Sequence, residues 1–213
     1  MRTPVSTDKP RENPVPGMYL ARCVRLIDLG THHDEKWGKD KRLVLVGFEL
    51  TGKLMADGRP FMVSKRYTLS HSEKAALRKD LENWYGKRFD TAQLDKAGGF
   101  DLTKILGRPA MVNVTLSDDG KYANIASVNP APEGMTPSAQ VNPSLLFSLD
   151  QYDEKTFQSL SAGIQTKVKE SQEWGQMFGG ASHKPAQAAG AGGETAGSFE
   201  DSEIPFITPF GDR

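Results

Sequence analysis

Between Gly17 and Val128 the apolar residues of this chain fall into five short runs, and one stripe with helical spacing sits between the third and the fourth. Short apolar runs bounded by turn residues read as strands. The order strand, strand, strand, helix, strand, strand leaves few small architectures open. The first run starts at Gly17, with Met18, Leu20, Val24 and Leu26 to one side and Arg22 and Arg25 interspersed. A polar segment, residues 30–42, is expected to be a loop. The second run is Leu43 to Leu50, and Asp57-Gly58 marks a turn before the third, Phe61 to Leu69. The fourth, Ala110 to Leu116, and the fifth, Tyr122 to Val128, flank the hairpin turn Ser117-Asp118-Asp119-Gly120, and Pro130 stops the last run.

The intervening helix has a readable start and end. Ser70 and Glu73 have the spacing of a capping box, Leu77, Leu81, Trp84 and Tyr85 form one apolar stripe, and Gly86 is placed to terminate it. A helical turn is expected around Leu102 to Leu106. The fold class expected from this order is mainly β with helices: an OB-fold-like five-stranded Greek-key barrel with its helix between strands three and four. Other small α+β folds share the order.

The flanks differ in kind. Residues 1–16 hold four prolines and read as a flexible arm without the apolar stretch of a signal peptide. Residues 17–133 form the barrel domain. In 134–178 a Pro-rich connector leads to one amphipathic helix, Asp150 to Trp174, with Phe157, Leu160, Ile164 and Val168 on its apolar side. That helix is expected to pack on the barrel or on a partner subunit, and Gly163 weakens it by about 1 kcal/mol relative to Ala. Residues 179–213 read as a disordered Gly/Ala linker with an acidic tip, because such a composition buries too little apolar surface to offset its ordering entropy.

Charge follows the same division. Residues 1–133 hold 22 Lys/Arg against 17 Asp/Glu, a net of +5, and residues 134–213 hold 5 against 10, a net of −5. A basic body with an acidic tail suits a polyanion partner for the body alone. Cys23 is the single cysteine, so no intrachain bridge forms and a reducing, cytoplasmic setting is expected. No run approaches a membrane span.

Single-strand binding needs cations along the phosphates and flat rings for the bases. Lys36, Trp37, Lys39, Lys41 and Arg42 supply both in the polar segment. On the third strand Lys65, Arg66 and Tyr67 do so again, and the last hairpin offers Lys121 and Tyr122. Alternation puts Phe61, Val63, Tyr67 and Leu69 on the core face and Ser64, Arg66 and Thr68 outside. Tyr67 is divided between core and stacking roles, Trp84 and Tyr85 read as core, and Lys87 and Arg88 as a solvated face. His32-His33 lacks the second ligand pair a zinc site needs, Cys23 reads as core, and Asp118-Asp119 reads as a turn. No phosphate-loop, dinucleotide or nucleophile-elbow motif occurs. A non-enzymatic protein with no metal and no cofactor is expected.

The tip Glu200-Asp201-Ser202-Glu203-Ile204-Pro205-Phe206 resembles the acidic Ile-Pro-Phe tail of bacterial single-stranded DNA-binding proteins. Pro16 to Arg22, Leu81 to Lys87, Ile105 to Ala110 and Phe157 to Trp174 resemble the single-stranded DNA-binding proteins of tailed bacteriophages. The resemblance covers roughly residues 14–178 and the tip. It implies sequence-tolerant single-stranded DNA binding in replication and recombination, in a bacterial host cytoplasm. It also implies recruitment of replication, recombination or repair proteins through Glu200, Asp201, Glu203, Ile204, Pro205 and Phe206. Self-association into a homo-oligomer is compatible with it. In the bacterial family the phenylalanine is terminal, whereas seven residues follow Phe206 here. The alternatives are an OB-fold protein-interaction adaptor with little DNA binding and, ranking last, a nuclease.

Overall fold

The computed structural model describes residues 12–179, so the linker and tip lie outside the described residues. Within that span six strands form one sheet: β1 (Gly17–Asp34), β2 (Lys39–Leu54), β3 (Pro60–Thr68), β4 (Pro109–Leu116), β5 (Ala123–Asn129) and β6 (Leu145–Phe147). The order is β3-β2-β1-β4-β5 with antiparallel neighbours, and β6 adds to β1 in parallel. The sheet is open. Its edge strands β3 and β5 approach each other without sharing a ladder, and α1 (Ala76–Tyr85) packs against both.

The first strand differs from the expected alternation. Tyr19 and Ala21 face Val112 and Ala110, while Met18 is exposed. A bulge at Val24 then shifts the register from Cys23↔Phe48 to Arg25↔Gly47. The extra residue reverses the parity, so Cys23 and Leu26 both enter the core and Arg25 turns outward. Burial pushes the Cys23 thiol up to about 12, which keeps it protonated at neutral pH.

The main core lies on one side of the sheet. Val44, Val46, Phe48 and Leu50 from β2 meet Leu77, Leu81 and Trp84 from α1, and Phe48 and Trp84 have ring centroids 5.4 Å apart. The Trp84 indole donates to the Pro109 carbonyl at 2.7 Å, satisfying its buried N–H. The helix starts later than the capping box implies. Its N-cap is Ala75, which makes no side-chain cap, and the Glu73 carboxylate instead accepts from the Thr91 hydroxyl. Gly86 ends it in the left-handed region at φ 65°, donating back to Asn83 and Glu82 as a glycine cap does. A short helix, α2 (Thr91–Lys96), and a 3₁₀ turn, Leu102–Ile105, lead into β4.

The single helix expected over 150–174 is three: α3 (Glu154–Ser159), α4 (Ala162–Lys169) and α5 (Gln172–Phe178). Their starts are set by Asp153, Ser161 and Ser171, and the side chains of Asp153 and Ser171 accept from Thr156 N–H and Trp174 N–H. Such residues compete for backbone donors and break a continuous helix into capped turns. The apolar stripe survives the breaks. Phe157, Leu160, Ile164 and Val168 close over Ile27, Leu29 and Leu45 as a second core on the opposite face of the sheet.

Residues between β5 and β6 strap that same outer face. Glu49, 2% exposed, accepts from Val141 N–H, Asn142 N–H and the Asn142 side-chain amide at 2.7–3.0 Å. A buried carboxylate holding three donors fixes the strap in place. The strap and helices together cover the outer face of β1 and much of β2, and the strap reaches β3, where Asn142 meets Met62.

Candidate nucleic-acid interface

The polar segment expected to be a loop is mostly strand. β1 runs on to Asp34 and β2 begins at Lys39, so residues 30–42 form an extended antiparallel hairpin with a turn at Glu35 to Gly38. Register explains it: Thr31↔Arg42, His32↔Lys41 and His33↔Asp40 place polar groups opposite each other, and such pairs hold a ladder without apolar burial. Gly38 takes φ 57° at the tip.

Trp37 sits at that tip and is 41% exposed. Lys36 lies over its ring at 5.8 Å, and its backbone N–H is capped by Asp34. A half-exposed indole beside a cation is a surface for base stacking.

The other expected cations divide into two groups. Arg42 donates to Asp28 and Asp150 at 2.6 and 2.8 Å, and hydrogen bonding to Asp28 raises its pKa further. Lys41 bonds Asp34 at 2.6 Å, and that bond holds the Asp34 carboxyl below its ordinary range. Lys65 does not face solvent as a phosphate contact would. It points to the core side, where its ammonium and the Tyr67 hydroxyl both reach Asp80 on α1, at 2.9 and 2.8 Å. Tyr67 is 4% exposed. It is a core ring, and the stacking alternative is corrected: register with Val44 puts it inside. Leu69, expected inside, is exposed because β3 ends at Thr68.

Lys36, Lys39 and Arg66 lie on the hairpin and on the outer face of β3. Lys121 and the half-buried Tyr122 belong to the β4–β5 turn, where Lys121 meets Asp119 at 3.2 Å. The tip residues Glu200 to Phe206 lie outside the described residues.

Alternation with Leu26 sets Arg25 on the outward side; the structure adds the register that lays it against Gly47, a glycine inside an otherwise apolar strand.

The histidines are engaged locally. His32 Nε2 meets the Leu29 carbonyl at 2.9 Å, burial lowers its pKa, and His33 Nδ1 meets the Asp40 carboxylate at 2.8 Å. Among the described residues no three His, Cys, Asp or Glu side chains converge as metal ligands, and no helix is long and apolar enough to cross a membrane.

An apolar recess opens beside α1, walled by Leu69, Leu77, Leu81, Phe89 and Phe100. Its buried cation, Arg78, donates to Glu82, the His71 and Phe89 carbonyls and the Thr91 hydroxyl. Arg78 is thus saturated by the protein's own acceptors. No protein-family model and no curated protein matches this chain.

Proposed function

We propose that this chain binds single-stranded DNA without sequence preference and performs no chemistry on it. The observation that carries the reading is the extended hairpin with Trp37 exposed at its tip between Lys36 and Lys39. A stacking ring flanked by cations is what a sequence-tolerant single-strand binder uses.

The strand order supports a finer fold reading. β1, β2 and β3 form a meander, β4 returns to the far side of β1, and α1 lies between β3 and β5. We take this as a partly open Greek-key barrel of the OB type, whose first loop and β2–β3 face are common binding surfaces. The strap and helices cover part of that face here, so the hairpin is the surface we assign to the strand.

Binding to a labelled oligothymidine at a series of salt concentrations tests the reading. The expected result is an affinity that falls steeply with salt, in proportion to the phosphates engaged. Affinity no better than for a neutral polymer rejects it and favours the adaptor alternative. Repeating the titration without residues 198–213 tests the acidic tip. At low salt its removal is expected to strengthen binding, because the tip and DNA are both polyanions facing one basic body. The docking role of Ile204-Pro205-Phe206 toward replication, recombination or repair proteins is part of this proposal. A tethered apolar peptide with acidic neighbours raises a partner's local concentration.

A further inference from the structure

A column of aromatic rings leads from the second core out to the surface of α5. Phe157, 4% exposed, meets Trp174 with centroids 4.7 Å apart and planes tilted by 34°. Phe178, four residues beyond Trp174 on the same helix, meets it at 4.3 Å and 39°. Tyr152 stands across the two outer rings, at 78° to Trp174 and 66° to Phe178, and its hydroxyl donates to Glu154. The column ends in solvent, where Phe178 is 51% exposed and Met177 beside it 42%. A half-bare ring already held by two others loses little side-chain freedom when a further flat group stacks on it.

Charge and continuity point to a nucleobase as that group. The exposed Lys169 lies over Phe157 at 5.7 Å, which repeats the lysine-and-ring pairing of Lys36 and Trp37. The acids nearby have donors within the protein: Glu154 accepts from Tyr152 and Gln158, Glu170 pairs with Lys167, and Glu173 accepts from Thr31. The last of these contacts also supplies the continuity. Thr31 belongs to the hairpin that carries Trp37, so α5 and its rings are fixed to the same arm.

Resting on the single-strand reading, we propose that Phe178 is a second stacking platform, on which a base of the strand bound at Trp37 extends the column Phe157–Trp174–Phe178. Base stacking on an aromatic side chain is sequence-tolerant, because every base presents a flat face. The two platforms hold different bases, so their contributions to affinity add.

The test is oligothymidine binding by the full chain and by variants at residue 178. Phe178→Leu keeps apolar bulk and removes the ring, and is expected to weaken binding about tenfold. Phe178→Tyr and Phe178→Trp keep a stacking face and are expected to restore most of that affinity. A second readout is fluorescence. The chain has three tryptophans, and Trp84 is 2% exposed. In Trp37→Phe, saturating oligothymidine is therefore expected to quench the emission of Trp174, and adding Phe178→Leu to remove that quench. Thermal melts establish that each variant folds, and the Trp174 signal in Trp37→Phe carries the test if Phe178→Leu does not. Normal wild-type binding with unchanged affinity in Phe178→Leu and no Trp174 quench overturns the platform alone. A loss that Phe178→Tyr and Phe178→Trp share in full means packing without stacking and also overturns it. Sedimentation without DNA gives the remaining outcome: a wild-type dimer that Phe178→Leu dissociates assigns the rings to a second copy and overturns the proposal. Absence of wild-type binding to oligothymidine overturns the single-strand reading and the platform together.

Discussion

Glu173 accepts two hydrogen bonds from Thr31, one from its backbone N–H at 2.7 Å and one from its hydroxyl at 2.6 Å. The pair joins α5 to the base of the β1–β2 hairpin across 142 residues of sequence. Beside it Gly30 packs against Ser171 so closely that an added Cβ would lie 2.4 Å from the Ser171 Cβ. The direction in which the hairpin carries Trp37 is therefore set by the last helix of the described chain.

Replacing Glu173 with Gln should loosen this joint. Hydrogen bonds to a charged acceptor contribute about 1.5–3 kcal/mol, and partial exposure reduces that here. The expected outcome is faster hydrogen exchange across residues 30–41 with little change in the main core. Equal acceleration throughout the sheet would show that the joint has no local role.

The same carboxylate predicts a pH dependence. Burial raises the Glu173 pKa, but the two Thr31 bonds, together with its own backbone N–H and the Arg42 charge, outweigh it and the net shift is downward. A carboxyl depressed in the folded state stabilises above its unfolded pKa, about pH 4, and that stability is lost as pH falls through the folded value. Thermal melts from pH 6 to pH 3 should therefore show a decline that is shallower in Glu173→Gln. Parallel curves for the two proteins would assign the decline to other carboxylates.

Gly30→Ala should be more damaging than a surface glycine change. Gly30 has φ 79°, and the new methyl group meets both Ser171 and Leu149. Left-handed strain and the clash together predict a loss of more than about 2 kcal/mol in chemical denaturation. Gly38→Ala, where nothing lies within 4 Å of the added carbon, should cost only about 1 kcal/mol from backbone strain.

The cations of the interface are expected to separate by function. Trp37→Ala should lower oligonucleotide affinity by about 1–3 kcal/mol without altering the melting temperature. Lys65→Ala should do the reverse. It releases Asp80, which costs about 1–3 kcal/mol of stability, and leaves the salt slope of DNA binding unchanged. A reduced slope for Lys65→Ala would place its ammonium at the DNA despite its contact with Asp80.

Cys23 should resist thiol reagents in the native state. With the thiol buried and pushed up to about 12, little thiolate forms at pH 8, and modification should proceed at the rate of opening. Rapid labelling of native protein would contradict the packed position of β1.

Much of the architecture was legible in local pattern. The order of β1 to β5 with α1 between β3 and β4, the stripe of Leu77, Leu81 and Trp84, and the glycine stop at Gly86 follow from periodicity and turn chemistry, which neighbours in sequence determine. The exposed tryptophan at residue 37 was equally readable, because a charged segment offers it no apolar neighbours. Tertiary structure decided what depends on partners distant in sequence. The bulge at Val24 put Cys23 and Leu26 in the same core, since register is fixed by the facing strand. Asp80 and Asp28 took Lys65 and Arg42 out of the set of surface cations, and no alternation rule anticipates a carboxylate arriving from another element. The C-terminal helices folded back over β1 and β2, so which part of the sheet remained open was settled only by packing. Composition and periodicity determined which elements form; long-range pairing determined which of their side chains remain at the surface to meet a ligand.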